Sequence, residues 1–598
     1  MKPYNGKTPL PRPSRMGRFD NVVYLDTETD SVWEEYDTER LTLKVGYAVH
    51  KRRNNKGGWT KGKWLRFTAI DPIADFLVSK VRENSALTVV AHNMDFDALI
   101  CGFAKTLPER GFTAPNPIFG SGPYIVVYRN GKRRIKLVCS LNHLKSSLAA
   151  LGDRFGKPKM EMPAADAPIE EWDVYGRNDV EVLAHVMERY TDWVYKRGFG
   201  TMQDTAPQQA YFAYRRLHMT TNLFPTANKI ARRLSEKALY GGRTEMFWKG
   251  RSRRPGYYCD FNSAYPHVMR EGWFPTRFVG NLRDPNSDRL RKWLRGHLLI
   301  AKVTIRAGDP DYPVHRDGRL QFRADRFTTY LADAEFRDAF GRGRIEQVHM
   351  ASVFEKARIF RSWVDDLYPE RQQAKEAGDV VSDYLLKLYL NSLFGKFGQK
   401  AYKSKVLGDC PPDELLSRHA ISEKDGTRFH LRKYAGKAVL SWVQGTKNSA
   451  MPEIAACVTS EARLMLTRHI RAAGRKNVAY CDTDSLIVTP KGYERLGSPG
   501  RTADLGDLCL EAGPAHYEIR GLKNYTFGDK SRIKGVRDPD QIIDDMMYKD
   551  AQWSRTLGAI RDGDVCSVTI RHGRKVLTGE YTKGHAPRRS GFVRPLGG

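Results

Sequence analysis

The placement of the acids is what most restricts this chain. Lys and Arg number 99 against 69 Asp and Glu, a net charge of +30, yet carboxylates gather in two ordered sets, each at the end of a short apolar run. The first set opens with Val22-Val23-Tyr24-Leu25, which reads as a buried strand running into Asp26-Thr27-Glu28. Residues i and i+2 of a strand share a face, so Asp26 and Glu28 point the same way. Adjacent carboxylates repel unless a cation lies between them. The strand Leu87–Ala91 then delivers His92-Asn93-Met94-Asp95-Phe96-Asp97, and Tyr175 and Asp179 stand four apart on one face of a helix expected at about 173–190. Asp26, Glu28, Asp97 and Asp179 can together hold two divalent ions, with Tyr175 hydrogen-bonding an attacking water. Mg²⁺ suits such all-oxygen sites. Taken singly, each acid reads as well as a capped turn or a solvated helix face; four in order favour the metal site.

The second set pairs Tyr257-Tyr258-Cys259-Asp260, strand-like and followed by Phe261-Asn262-Ser263-Ala264-Tyr265-Pro266 with Pro in a first helical turn, with Tyr480-Cys481-Asp482-Thr483-Asp484-Ser485 in a hairpin turn between apolar runs. A solvated hairpin tip explains the second motif alone. The helix between them argues otherwise. On Leu385–Phe397, Lys387, Asn391 and Phe394 form one stripe, and Leu386, Leu390, Leu393 and Phe397 form another that can face a core. A cation, an amide and a ring on one face suit a nucleoside triphosphate, with Arg371 and Lys375 on the preceding helix as further phosphate ligands.

The net charge points to a polyanionic partner, since each neutralised phosphate releases a counterion. A hydrophobic fraction of 41% excludes a disordered basic tail. Eight scattered cysteines without a CxxC pair argue against a zinc ribbon, an iron–sulfur module or a disulfide framework. No run of about 18 apolar residues occurs, so a soluble, intracellular (cytoplasmic) protein with no membrane partner is expected. Residues 1–20 read as a flexible basic arm, 21–195 as an α/β unit, 360–398 as a helical hairpin turning at Ala377-Gly378-Asp379, and 400–448 as a polar excursion without period.

At these residues the chain resembles family B DNA polymerases, and within them the protein-primed branch. Asp26-Thr-Glu28, Asn93-x-x-Phe96-Asp97 and Tyr175-x-x-x-Asp179 resemble the three 3′–5′ exonuclease motifs in the family's order, and Ser140-Leu141-Asn142-His143-Leu144 resembles the motif that holds a single-stranded primer end. Lys157 or Lys159 matches the family's exonuclease lysine. Tyr240-Gly241-Gly242 resembles the connector that tracks the template, one residue shorter than the family's form. Motif A is matched at Asp260 to Pro266 with Ala264 in place of Leu, motif B at Lys387 to Gly395 with Phe394 in place of Tyr, and motif C at Asp482-Thr-Asp484; Lys523-Asn-Tyr525 resembles the motif that grips the primer terminus.

The resemblance implies an α/β and α+β multidomain fold: an RNase H-like exonuclease domain and a right-hand polymerase with palm, fingers, thumb and two insertions. The implied division is an arm at 1–20, exonuclease at 21–195, connector and first part of the palm at 196–275, first insertion at 276–357, fingers at 358–398, second insertion at 399–448, palm at 449–525 and thumb at 526–598. Asp260 and Asp484 would bind two Mg²⁺, with Mn²⁺ able to substitute, and Asp482 would assist; the exonuclease acids would bind two more. Tyr265, Arg371, Lys375, Lys387, Asn391 and Phe394 would bind the nucleotide. Asn93, Phe96, Ser140, Leu141, Tyr240, Gly241, Gly242, Lys523 and Tyr525 would bind DNA. The expected partners are a DNA template and primer, dNTPs and a terminal protein supplying the priming hydroxyl, with the enzyme acting as a monomer in viral or mobile-element replication. A primer-independent polymerase of a mobile element is the alternative within the fold, and a nuclease or DNA-binding protein with a dead polymerase centre is the alternative outside it. The short lead before Asp26 and the long intervals from Asp260 to Lys387 and from Lys387 to Asp482 favour the protein-primed branch.

Overall fold

The strand Asn21–Glu34 organises the first part of the chain. Val22, Val23, Tyr24 and Leu25 are all fully buried because both faces of their sheet are covered. Val22 and Tyr24 pack with residues of the helix Ile169–Lys196, while Val23 and Leu25 pack with Ile73, Leu77, Phe103 and Leu107 from helices on the other side. The strand pairs antiparallel with Thr38–Arg52 and parallel with Ala86–Ala91, which pairs parallel with Arg133–Cys139. In this computed structural model, residues 6–13, 19–54, 57–119, 122–446, 449–502, 504–536, 542–544, 547–577, 580–587 and 589–597 are described.

The same sheet continues in an unexpected direction. Val568–Arg571 pairs antiparallel with Thr38–Leu41, and Met547–Trp553 pairs with the strand Val568–Val576. Much of the region read as a thumb at 526–598 is therefore built onto the first domain. The edge of Thr38–Arg52 offers unpaired backbone groups, and strand addition satisfies them. The chain then returns: Tyr581 and Val593 pack with Met246, Tyr480 and Ile519.

A second sheet, all antiparallel, runs in the order Leu508–Ala515, Gly256–Phe261, Ser485–Val488, Val478–Asp482, Thr244–Met246. Cys259, Phe261, Cys481 and Leu486 bury against Ala264 and against Leu466 and Ile470 of the helix Pro452–Ala473. The expected helical hairpin is present as Arg361–Glu376 and Val380–Ser392, with Gly378 in the left-handed region at φ 70° and the Asp379 side chain accepting from the Ser382 N–H. Residues 276–357 contribute most of a four-stranded antiparallel sheet with its own core of Leu299, Ala301, Val303 and Phe336.

Two expectations are corrected. Residues 400–446 are not aperiodic but a four-stranded antiparallel sheet, ordered Lys400–Asp409, Lys437–Thr446, Arg428–Tyr434, Leu416–Ile421. Nearly all of Lys400–Asp409 is exposed, so no apolar alternation marks the strand. Nor are residues 6–13 a free arm. Leu10 is buried, its N–H donates to Leu223 O at 2.7 Å, and the Arg216 guanidinium reaches Pro13 O at 3.2 Å; the rest of the arm, 1–5 and 14–18, lies outside the described residues. Among the described residues no helix is long and apolar enough to cross a membrane.

Candidate active sites

The first acid set converges. Oxygens of Asp26, Glu28 and Asp179 lie within 4.8 Å of one another, in a cleft of about 220 Å³ also lined by Asn93, Phe96, Asp97, Lys159 and Tyr175. Asp26 and Glu28 share a face of their strand, and the helix Ile169–Lys196 lays Tyr175 and Asp179 across it. Asp97 is buried and accepts the Thr27 hydroxyl at 2.9 Å. Burial and then the charges of Asp97, Glu28 and Asp179 push Asp26 well up from the ordinary carboxylate range. Burial and Asp179 push Glu28 up to about 7, and burial drives Asp97 to about 7. Such acids ionise together only beside a positive charge.

One charge is Lys159. It hydrogen-bonds Asp179 and lies 4.8 Å from the centre of the Tyr175 ring; burial opposes its charge, but those two partners hold its pKa above the ordinary lysine value. Lys157 instead pairs with Glu181 at 2.9 Å, so the geometry separates two lysines that the sequence left equivalent. The Asp179 Oδ1 atom is buried without a hydrogen-bond partner. An all-oxygen cluster with an orphaned carboxylate oxygen fits a hard divalent cation. Ser140, also buried, meets His92 Nδ1 at 2.9 Å. His92 lines the cleft and was missed in the sequence, where a lone histidine carries no signal. Leu141 lines an adjoining cavity with Asn93 and Trp553.

The second set meets on the other sheet. Asp260 pairs across strands with Ser485, and the Phe261 N–H donates to Asp484 O at 2.9 Å. Thr483 turns the hairpin at φ 63°, held by its N–H to Arg243 O at 2.7 Å. Asp482 is already satisfied: Thr244 Oγ1 donates at 3.0 Å and Lys523 Nζ lies at 3.2 Å. Asp260 differs. Burial, Asp484 and Glu511 push it up to about 7, with Lys387 opposing, and burial with Asp482 raises Asp484. Asp260 and Asp484 are thus the pair that a cation would relieve. Glu511, three residues beyond the start of an edge strand, was missed because a single exposed Glu carries no pattern.

Around this pair stand several expected residues. The Tyr265 and Phe394 rings stack, centroids 4.7 Å apart and planes 6° apart. Arg371 is fixed by Asp383 at 2.8 Å and by Ser263 Oγ at 3.3 Å. Lys387 is exposed on its helix, and Asn391 bonds back to Lys387 O at 3.0 Å. Lys375 is exposed in the last turn of its helix, with no observed contact to the pair. Tyr240 is buried, its hydroxyl 3.0 Å from Thr329 Oγ1 and its carbonyl accepting from Arg463; its ring faces protein. Gly242 packs so closely on Thr483 that a Cβ there would lie 2.8 Å from Thr483 Oγ1. Tyr525 is buried beside Tyr480, whereas Lys523, half exposed, turns its ammonium to Asp482 from a backbone at φ 56° whose N–H donates to the Tyr480 hydroxyl.

Residues 161–415 match the family model of DNA polymerase type B, organellar and viral. The DNA-directed DNA polymerase of Enterobacteria phage PRD1 is 26% identical over 292 residues, 48% of this chain and 48% of that protein. A probable DNA polymerase of Podospora anserina is 24% identical over 414 residues, 63% of this chain and 33% of that protein. The chain thus spans about half or less of these relatives' length. Among solved structures, phi29 DNA polymerase complexed with primer-template DNA aligns with a TM-score of 0.67 at 14% identity, covering 93% of this chain and all of that one. The same polymerase with primer-template DNA and incoming nucleotides aligns at 0.66. A family model of organellar and viral type B DNA polymerases thus matches 161–415, less than half of the chain, and the chain as a whole shares its fold with phi29 DNA polymerase.

Proposed function

We propose that this chain is a template-directed DNA polymerase with its own 3′–5′ exonuclease, started from the hydroxyl of a terminal protein and able to displace the downstream strand. The carrying observation is that one chain holds two carboxylate centres on separate sheets, one faced by cations and stacked rings suited to a nucleotide, the other by a lysine and a tyrosine. The names of two relatives, a DNA-directed DNA polymerase and a probable DNA polymerase, support the polymerase part of this reading. In this reading 21–195 is the exonuclease, 196–275 and 449–525 the palm, 358–398 the fingers and 276–357 and 399–448 the two insertions; the thumb spans 526–598, with much of its core shared with the exonuclease.

Asp260 and Asp484 would hold divalent ions, expected to be Mg²⁺, which when bound neutralise phosphate charge and activate a hydroxyl. Lys387 and Arg371 orient the triphosphate, Tyr265 closes the space beneath the sugar, and Phe394 flanks the base. Lys523, held next to Asp482, reaches toward the primer end. At the other centre Asp26, Glu28, Asp97 and Asp179 take the same kind of ion, and Tyr175 orients the water with Lys159 anchoring Asp179. Asn93, Phe96, Ser140 and Leu141 line the route of a single-stranded end. A protein hydroxyl can replace a primer 3′-OH because the centre needs only an oxygen placed in line with the α-phosphate.

Extension of a primed template by the purified chain with dNTPs and Mg²⁺, abolished by chelation, tests the polymerase reading. Absence of dNTP-dependent extension contradicts it. Vigorous synthesis on unprimed DNA by the chain alone selects the primer-independent alternative.

A further inference from the structure

The short helix Met94–Ile100 carries Asp97 and follows Asn93, so its position sets one wall of the exonuclease cleft. Its own sequence anchors it poorly. It has seven residues, and Asn93, at its N-cap, makes no side-chain cap. Asp95, in its first turn and 8% exposed, turns away from the cleft. Its Oδ1 accepts the Thr556 N–H at 3.0 Å and the Thr556 hydroxyl as well. Next to it the Phe96 ring meets Trp553 edge-on at 6.1 Å. Ala559, Ile560, Val565 and Val568 from the same distant segment lie in the first domain's core with Met94, Leu99 and Ile100.

Resting on the exonuclease reading above, we propose that residues 553–571 complete the exonuclease centre, and that Asp95 is the positioning residue through which Thr556 holds the Asn93–Asp97 wall in register. Asp95 is not among the residues lining the metal cleft and acts there through its helix, although it also lines the cavity shared with Asn93 and Leu141. The two donors of Thr556 converge on one carboxylate oxygen, which fixes the helix in rotation as well as in height. A misplacement of about 1 Å at a reacting centre costs on the order of 100-fold in rate, so loosening this wall is read out as catalysis rather than as binding. The polymerase centre lies on another sheet and does not share the contact.

The test measures degradation of a 5′-labelled single-stranded oligonucleotide and extension of a primed template by full-length wild type, Asp95→Ala, Asp95→Asn, Thr556→Val, Thr556→Ser and the double variant Asp95→Ala/Thr556→Val. Asp95→Ala is expected to lower nuclease kcat by about tenfold or more with little change in KM, while dNTP incorporation stays near wild type. Asp95→Asn keeps the acceptor and should restore most of the rate, Thr556→Ser should match wild type, and the double variant should lose no more than Asp95→Ala alone. Wild-type nuclease activity in Asp95→Ala, equal defects in the Ala and Asn variants, or additive losses in the double variant overturn the proposal. If Asp95→Ala does not fold, the Thr556→Val and Thr556→Ser pair decides, and equal rates overturn it. A wild-type chain that extends primers but degrades no single strand overturns the exonuclease reading itself, before any variant is compared.

Discussion

Tyr265 comes from the helix that follows Asp260 and Phe394 from the end of the helical hairpin, yet their rings lie nearly parallel at 4.7 Å. Under the proposed polymerase reading, this stack would hold the tyrosine beneath the sugar, against a 2′-hydroxyl. Tyr265→Val should therefore lower the preference for dATP over ATP, compared as kcat/KM, by about tenfold or more; an unchanged ratio assigns Tyr265 to packing alone. Glu453, in the first turn of Pro452–Ala473, is a different case. It is 1% exposed with one carboxylate oxygen unpartnered, and burial pushes it up to about 7. A folded-state value above the unfolded one means that the native state holds the extra proton, so stability falls as pH rises from about 4.5 to 7. Glu453→Gln should raise Tm at pH 8, by an amount on the order of 3 kcal/mol of stability, and change it little at pH 5. Equal shifts at both pH values contradict the buried-proton account.

The helical hairpin was legible in the sequence because its stripe of Leu386, Leu390, Leu393 and Phe397 has one side to bury and Gly378 marks the turn. The sheet of 400–446 was not, because Lys400–Asp409 is exposed at nearly every position and the other strands bury few side chains fully, so no apolar alternation marks them. It is anchored on the first domain at several points: Tyr434 and Ala435 are buried there, with the Tyr434 hydroxyl 3.2 Å from that of Tyr128 and Ala435 O accepting the Ala114 N–H, while the Ser404 hydroxyl bonds Asn116 and the Arg432 guanidinium lies over Phe119. The sheet thus begins just after the helical hairpin, at Lys400, and packs on the first domain. Replacing 402–446 by a short linker should shorten products on a primed circular template far more than it slows addition of one nucleotide. Products of wild-type length would leave the sheet without a role in processivity. The choice between Lys157 and Lys159 had the same kind of limit: two lysines two positions apart are indistinguishable until the chain sends one to Glu181 and the other to Asp179.

Over the whole molecule, the acids of the two candidate centres were the most readable part, since each sits at a strand end or on a helix face that the sequence marks. What joins the halves was hidden. The pairing of Thr38–Leu41 with Val568–Arg571 links distant segments through backbone groups, and any sequence of suitable shape can make those bonds. Arg243, whose carbonyl holds the Thr483 turn, is likewise unmarked in the sequence, yet it is fully buried and bonded to Glu245, Thr467 and Pro310 O. The two centres are expected to work independently within one chain. The direct test assays Asp26→Ala/Glu28→Ala and Asp484→Ala side by side, in Mg²⁺, for primer extension and for degradation of single-stranded DNA. The double variant should lose degradation by about 10³-fold or more and extend primers nearly as wild type, and Asp484→Ala should show the reverse. Joint loss of both activities in a folded double variant, or near wild-type extension by Asp484→Ala, would contradict it.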